Sequence, residues 1–375
     1  MKAHLLIFIL IAFVLRFWLS FLPGLAIDMN VWQAWAHRLT EFGLSRFYSP
    51  VVWTNYTPGY LYWLWFLGKI NAPLVLFKLI AIFADIAGGW LVFKLVSNKS
   101  KKIAFLLAIS YWFNPAIIFN SSIWGQIDSL LALVLVLSLK ALIDNRVFSS
   151  GFWLGLAVLI KPQAAFVIPV FLAKKAKISL LIGGIIALFL AWPFFPGNPL
   201  FGLSRLILNM NNDYPYTTLS AFNFWRIWGN WQSDAIVIFG LSKQTWGWLL
   251  FLFWEAIIIS PLLRNPKKTL IWLVAGLSLT NFYLFFTRIH ERYLLPALIF
   301  LLIGGGLSRR HGKFIILSYW LLSLIHTVNL YLVYCLYQVS PICTHFSVNN
   351  LAIIILCLVS VGLFLALIVK NINPE

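Results

Sequence analysis

Charged residues are scarce in this chain. They make up 10% of its 375 residues against 62% hydrophobic ones. The apolar positions run unbroken for about 14 to 23 residues at a time, a pattern that excludes a soluble core and fits repeated bilayer crossings. The alternation of a transmembrane β-barrel is missing too, because runs such as 351–369 and 294–307 are apolar on every face. The first run, 5–22, carries Arg16 and lacks the small-x-small site at which a signal peptide is cut, so it is expected to stay attached as a span. Cysteine is nearly absent: Cys335, Cys343 and Cys357 form neither a disulfide framework nor a metal-ligand spacing, although the first two can meet on the outer side. No internal repeat and no second domain shows, and 1–375 reads as a single domain.

Positive charge is what the chain has in excess: 28 Lys and Arg against 10 Asp and Glu, a net +18. Seventeen of the 28 fall in the turns around 94–102, 140–146, 174–177, 264–268 and 309–313 or, as Lys2 and Lys370, near the two ends. The positive-inside rule makes this side cytoplasmic, so the charge reports topology and argues against a nucleic-acid partner. The expectation is an all-α polytopic membrane protein with both termini inside. It has about ten full spans, at 5–22, 73–95, 103–120, 128–141, 178–195, 246–263, 269–286, 294–307, 314–336 and 351–369. A re-entrant hairpin over 151–173, broken at Lys161 and Pro162, is added to these. The first outer loop, 23–72, is read as holding two interfacial helices. One runs from Asp28 to Phe42 with Trp32, Trp35, Leu39 and Phe42 on one stripe and Gly43 to end it; the other covers 56–70. The large outer loop is 196–245.

With this topology Asp28, Glu41, Asp128, Asp213, Asp234 and Glu291 lie outside. Four outer segments mix aromatic rings with carboxylates and amides: 28–37, 121–129 (SSIWGQIDS), 209–231 (NMNNDYPYTTLSAFNFWRIWGNW) and 288–293 (RIHERY). Such a mixture suits a sugar, whose hydroxyls need donors and acceptors and whose apolar ring face stacks on aromatics.

These segments, in this order, resemble the GT-C glycosyltransferases, membrane enzymes that take sugars from polyprenyl-phosphate donors. WGQIDS and HERYLLP are most similar to a prokaryotic group of predicted mannosyltransferases like the enzyme that adds the second mannose of GPI anchors, and the likeness covers nearly the whole chain. The resemblance implies a GT-C-like bundle and an inverting transfer of a hexose, mannose for preference. The donor is then a polyprenyl-phosphate sugar and the acceptor a glycan, glycolipid or protein outside the cell membrane. It also implies a catalytic acid in the first outer loop, matched by Asp28, then a Pro-containing aromatic helix, matched by TNYTPGYLYW with Tyr56. The histidine-led loop before a late span is matched by His290, Glu291 and Arg292. Many relatives carry an adjacent acidic pair in the first loop, whereas Asp28 is followed by Met29 and Asn30, so neither a metal nor another cofactor is expected.

Asp28 reads as the general base or, more plainly, as the N-cap of its helix. Arg292 offers a planar fork for the donor phosphate, with His290 and Arg288 beside it and Arg16 as a further phosphate ligand. Glu291, Trp124, Gln126, Asp128, Tyr56, Asp213 and Asn223 are candidates for sugar or acceptor contacts, Asp128 being equally readable as the residue that opens a span. Charge at membrane depth needs a partner, and Asp85 and Glu255 are the candidates for Arg16 and Lys161. A flippase of lipid-linked sugar is the alternative function. A transporter would place its polar groups at mid-membrane, and the concentration at the outer surface favours the enzyme.

Overall fold

A computed structural model of the chain describes residues 2–343 and 348–372. Its helices follow the apolar runs. α1 (Lys2–Leu19) is followed by α2 (Ala26–Phe42), α3 (Pro58–Lys69) and α4 (Leu74–Val96). Pro58 at the first position of α3 forfeits an N–H that has no helical acceptor there. α5 (Lys101–Trp112) stops ahead of Asn114 and Pro115, where α6 (Pro115–Ile118) and a π-helical turn over Phe119–Trp124 continue the chain at a bend of 42°. Asn114 makes the bend by accepting the N–H groups of Ala116 and Ile117. α7 (Asp128–Ile143), α8 (Val147–Ile160), α9 (Ile168–Ala173) and α10 (Lys177–Ala191) follow. Then come α11 (Pro199–Asn212), α12 (Lys243–Arg264), α13 (Lys268–Phe285), α14 (Leu295–Leu307), α15 (Gly312–Tyr337) and α16 (Asn350–Ile372). Sheet is confined to two short ladders. β1 (Thr218–Leu219) pairs in parallel with β4 (Ile289–His290), and β2 (Val237–Ile238) pairs antiparallel with β3 (Leu241–Ser242).

Among the described residues six helices are long and apolar enough to cross a bilayer: α4, α10 with its extension to Phe194, α12, α13, α15 and α16. The bent pair 101–112 and 115–124 makes a seventh if it counts as one span. The sequence expectation of about ten therefore differs, most clearly in α7 and α14. Helices of 16 and 13 residues reach only about 24 and 20 Å at 1.5 Å per residue, short of the ~30 Å of hydrocarbon. The runs 128–141 and 294–307 are themselves only about 14 residues long, so counting them as spans asked more of them than helix geometry gives. α13 and α14 are buried along almost their whole length, so being apolar on all sides reflects here a place at the centre of the bundle.

The segment 147–173 leaves one end of the molecule at Val147, breaks at Lys161, and returns to the same end. Asn145 to Ser150 and Lys174 to Ser179 line one depression there. α8 packs on α10 through Gly151 and Gly155, where a Cβ would come within 2.4 Å of the Ser179 and Gly183 carbonyl oxygens. Only hydrogen at these positions allows so close an approach, the usual device between membrane helices. The turns around Lys99 and Ser308 also share an end, since Lys99 Nζ donates to the carbonyls of Gly306, Leu307 and Ser308.

In the segment 23–72 α2 starts at Ala26, two residues ahead of the expected start, and Leu25 is its cap. Trp32, Trp35 and Leu39 are buried as the stripe requires, Phe42 is exposed, and Gly43 ends the helix at φ 77°. Cys335 and Cys343 form a disulfide and Cys357 is a buried thiol.

Candidate active site

Segments remote in sequence line a cavity of about 360 Å³: the residues before α3, the α8 break, the end of α11 with the loop after it, and the 286–293 turn. The 119–128 turn and the first turn of α2 contribute no lining residue but are bonded to this wall through Tyr56 and Gln126.

The 119–128 turn is held from behind by two buried cations. Lys78 Nζ donates to the carbonyls of Ser20, Leu22, Ser122 and Ile123 at 2.7 to 3.1 Å, tying the end of α1 to the π-helical turn. Arg16 Nε pairs with Asp85 at 2.9 Å, and Ser121 Oγ donates to the same carboxylate. Both side chains of the Arg16–Asp85 pair are fully buried, which moves Arg16 out of the phosphate role and gives it a bracing one: burying the pair removes the cost of a lone charge. Gly125, at φ 97°, reverses the chain. That left-handed backbone favours glycine, which incurs no Cβ penalty there.

The reversal aims Trp124 and Gln126 at Asp28. Trp124 Nε1 donates to Asp28 Oδ2 at 2.8 Å and Gln126 Nε2 donates to the same oxygen at 2.6 Å. Tyr56 OH in turn donates to Gln126 Oε1 at 3.1 Å. Asp28 makes no cap bond to its helix, and the bland reading of it as an N-cap falls. Both donors meet Oδ2. Trp124 and Gln126, expected at a sugar, are thus bonded to the carboxylate.

Asp128 does not cap α7 either. It pairs with Lys161 at 2.6 Å and accepts Asn120 Nδ2 at 3.3 Å. Lys161 thus finds Asp128 and not the expected Asp85 or Glu255; Glu255 accepts Ser278 and Asn281. Extended backbone at Lys161, forced by Pro162, places the ammonium on the cavity wall.

The 286–293 turn is positioned by the β1–β4 ladder and by Arg288, whose backbone at φ 65° donates to Tyr216 O. The Arg288 guanidinium pairs with Asp234 at 2.6 Å and also donates to Asn211 O, anchoring the long segment between α10 and α12. Glu291 accepts Arg292 Nη1 at 2.7 Å, and Arg292 Nε is buried without a partner. Burial opposes ionisation of Glu291, but the Arg292 guanidinium and then His290 outweigh it and hold the carboxyl down at about 2. Burial and the Arg292 charge push His290 below its usual range, so the imidazole is neutral at pH 7. Asn223 caps a short 3₁₀ turn and donates to Tyr283 O, so its place is structural. Asp213 sits part-exposed at the end of α11, its carboxyl raised by burial, and stands outside the cavity lining.

The lining is mixed: Tyr56, Lys161, Tyr214, His290, Arg292 and Tyr293 are polar, and Phe166, Leu208, Trp248 and Phe286 are apolar. Tyr293 lies within 6 Å of both cations, 5.8 Å from Lys161 and 5.7 Å from Arg292. Asp28 is outside the lining but close enough for its charge to act on Tyr214, His290 and Arg292. Among the described residues no three His, Cys, Asp or Glu side chains converge as a cation site. Lys161, which sequence reasoning gave only an ion pair, and Phe166 and Trp248, which it gave no role, are among the cavity residues. The lysine beside a proline in an apolar stretch was the one signal.

No curated protein matches the chain at a significant level. A family model does match, over residues 53–309; it takes in Tyr56, Trp124, Gln126, Asp128, Lys161 and the 288–293 turn and begins downstream of Asp28. The match spans more than two thirds of the chain, so the protein belongs to glycosyltransferase family 87 and is a membrane enzyme that transfers a sugar.

Proposed function

We propose that the enzyme moves a hexose, mannose for preference, from a polyprenyl-phosphate sugar to an extracytoplasmic acceptor with inversion at the anomeric carbon. The observation that carries this reading is one cavity lined by two cations and by apolar side chains, with a hydrogen-bonded carboxylate nearby. The lipid phosphate lies against Arg292 and Lys161, and the first isoprene units lie along Phe166, Leu208 and Trp248. Asp28 Oδ1 takes the proton of the acceptor hydroxyl as that oxygen attacks the anomeric carbon. The bond from the anomeric carbon to the phosphate oxygen breaks and its electron pair stays on that oxygen. The phosphodiester monoanion becomes a monoester dianion. A single displacement inverts the centre through an oxocarbenium-like transition state.

Charge on the leaving phosphate grows as the bond breaks, and groups placed where charge develops lower the barrier most. Arg292 keeps its Nε edge for a phosphate oxygen while Glu291 occupies Nη1. Lys161 supplies the second cation as it turns from Asp128. Mannose rests on the likeness of WGQIDS and HERYLLP to the mannosyltransferase group. Cytoplasmic termini and an outward-facing cavity rest on the positive-inside count. The pairing of the basic turns at shared ends supports this orientation.

The test incubates purified protein in lipid nanodiscs with radiolabelled polyprenyl-phosphate mannose and polyprenyl-phosphate glucose, with a membrane extract as acceptor. Transfer or slow donor hydrolysis from either donor, abolished by Arg292→Ala, is the expected result. Activity with a nucleotide sugar and none with either lipid donor overturns the reading.

A further inference from the structure

A helix leaves its first four N–H groups without helical acceptors, and a capping side chain normally takes one. α2, whose first turn carries Asp28, has Leu25 at that position and no capping side chain of its own. Its start is held from elsewhere. The N–H of Leu25 donates to the carbonyl of Trp124 at 3.1 Å, the residue whose indole binds Asp28. The N–H of Ala26 donates to Oε1 of Gln338 at 2.8 Å, 312 residues further along the chain. Gln338 follows the end of α15 in a loop closed by the Cys335–Cys343 disulfide. Tyr334 OH donates to Pro23 O at 2.5 Å and Tyr331 OH to Ile342 O at 3.1 Å, so the loop is tied both to the α1–α2 turn and to itself. Gln338 Nε2 donates to Val339 O, which turns the amide oxygen toward Ala26.

We propose that Gln338 is a positioning residue for Asp28, acting as an N-cap supplied from a distance, and that the Cys335–Cys343 bridge keeps it in place. This rests on the reading of Asp28 as the base; Gln338 itself touches no substrate. Asp28 lies two residues past Ala26, so a shift of the first turn carries the carboxylate with it. Trp124 and Gln126, fixed by the Lys78 clamp, do not follow. Removing the cap therefore misaligns the base from its two donors. Gln338→Leu keeps the volume and loses the acceptor, whereas Gln338→Glu keeps an acceptor oxygen and adds a charge that suits a helix N-terminus.

The experiment measures polyprenyl-phosphate [¹⁴C]mannose turnover and hydrogen exchange of the amides of residues 26–30 in nanodiscs. Gln338→Leu should lower kcat by about 3- to 30-fold, the rate equivalent of a lost cap, with the donor KM unchanged. Its 26–30 amides should exchange faster. Gln338→Glu should restore both readouts, and reduction of the bridge in the wild type should reproduce the Leu variant. Gln338→Leu added to Asp28→Asn should slow that enzyme no further. Wild-type exchange in the Leu variant overturns the proposal, as does an equal fall in the Leu and Glu variants that tracks a common loss of thermal stability. If Asp28→Asn keeps wild-type turnover, the base reading fails separately, and the exchange data still decide whether Gln338 holds the helix.

Discussion

Replacing Asp28 by Asn removes the proton acceptor and little else. Its Oδ2 accepts from Trp124 at 2.8 Å and from Gln126 at 2.6 Å. The amide oxygen of Asn can take the same place and accept both donors, with its NH₂ turned to where Oδ1 stood. The two bonds weaken because the acceptor is no longer charged, from about 1.5–3 to about 0.5–1.5 kcal/mol each, and the side chain is only half-buried. The fold and the donor site should therefore survive. General-base catalysis contributes about 10² to 10⁴-fold, or about 3 to 5 kcal/mol of barrier, and kcat should fall by that factor with the donor KM within about twofold. Glu41→Gln is the control: Glu41 is exposed and pairs only with His37 at 3.4 Å, so its rate should stay near wild type. The assay follows transfer from radiolabelled polyprenyl-phosphate mannose at saturating acceptor. A folded Asp28→Asn enzyme within about threefold of wild type would refute the reasoning and move the base to another carboxylate.

Arg292→Lys keeps a charge but loses the planar fork, so donor binding should weaken by about tenfold or more and Arg292→Ala by more still, read as KM at limiting donor. Lys161→Met should cost about 3–5 kcal/mol of stability by stranding buried Asp128, and Lys161→Met/Asp128→Asn should recover most of the melting temperature without recovering transfer. Recovery of both would make the pair purely structural. The folded-state His290 pKa is depressed, so the unfolded chain takes up the proton first and stability falls as pH drops below about 6.5. The melting temperature of wild type should accordingly fall more steeply than that of His290→Asn between pH 7.5 and 5, and parallel curves would contradict the shift. An impermeant thiol reagent on intact cells should label a cysteine at the exposed position 212 and spare one at exposed position 266, with Cys357 replaced and the disulfide kept. The reverse pattern would invert the topology and the site with it.

Bilayer crossings, the sorting of Lys and Arg into particular turns, the helix ending at Gly43 and the break at Lys161–Pro162 were legible from the sequence alone. Each depends on forces that act within a few residues: run length against hydrocarbon thickness, charge beside a span, the φ freedom of glycine and the ring of proline. The segments of the site were legible too, because carboxylates, amides and rings stand out in a chain this apolar. What each side chain does in the site was decided by tertiary packing. Asp28 and Asp128 both looked like helix caps. One is held by Trp124 and Gln126, 96 and 98 residues away, the other by Lys161 at a separation of 33. Arg16 reaches Asp85 over 69 residues, and Ala26 reaches Gln338 over 312. A buried charge or an orphan N–H must find a partner, which the sequence states as a need. Which partner it finds depends on where whole helices cross, and that is fixed by close packing such as Gly151 and Gly155 against α10.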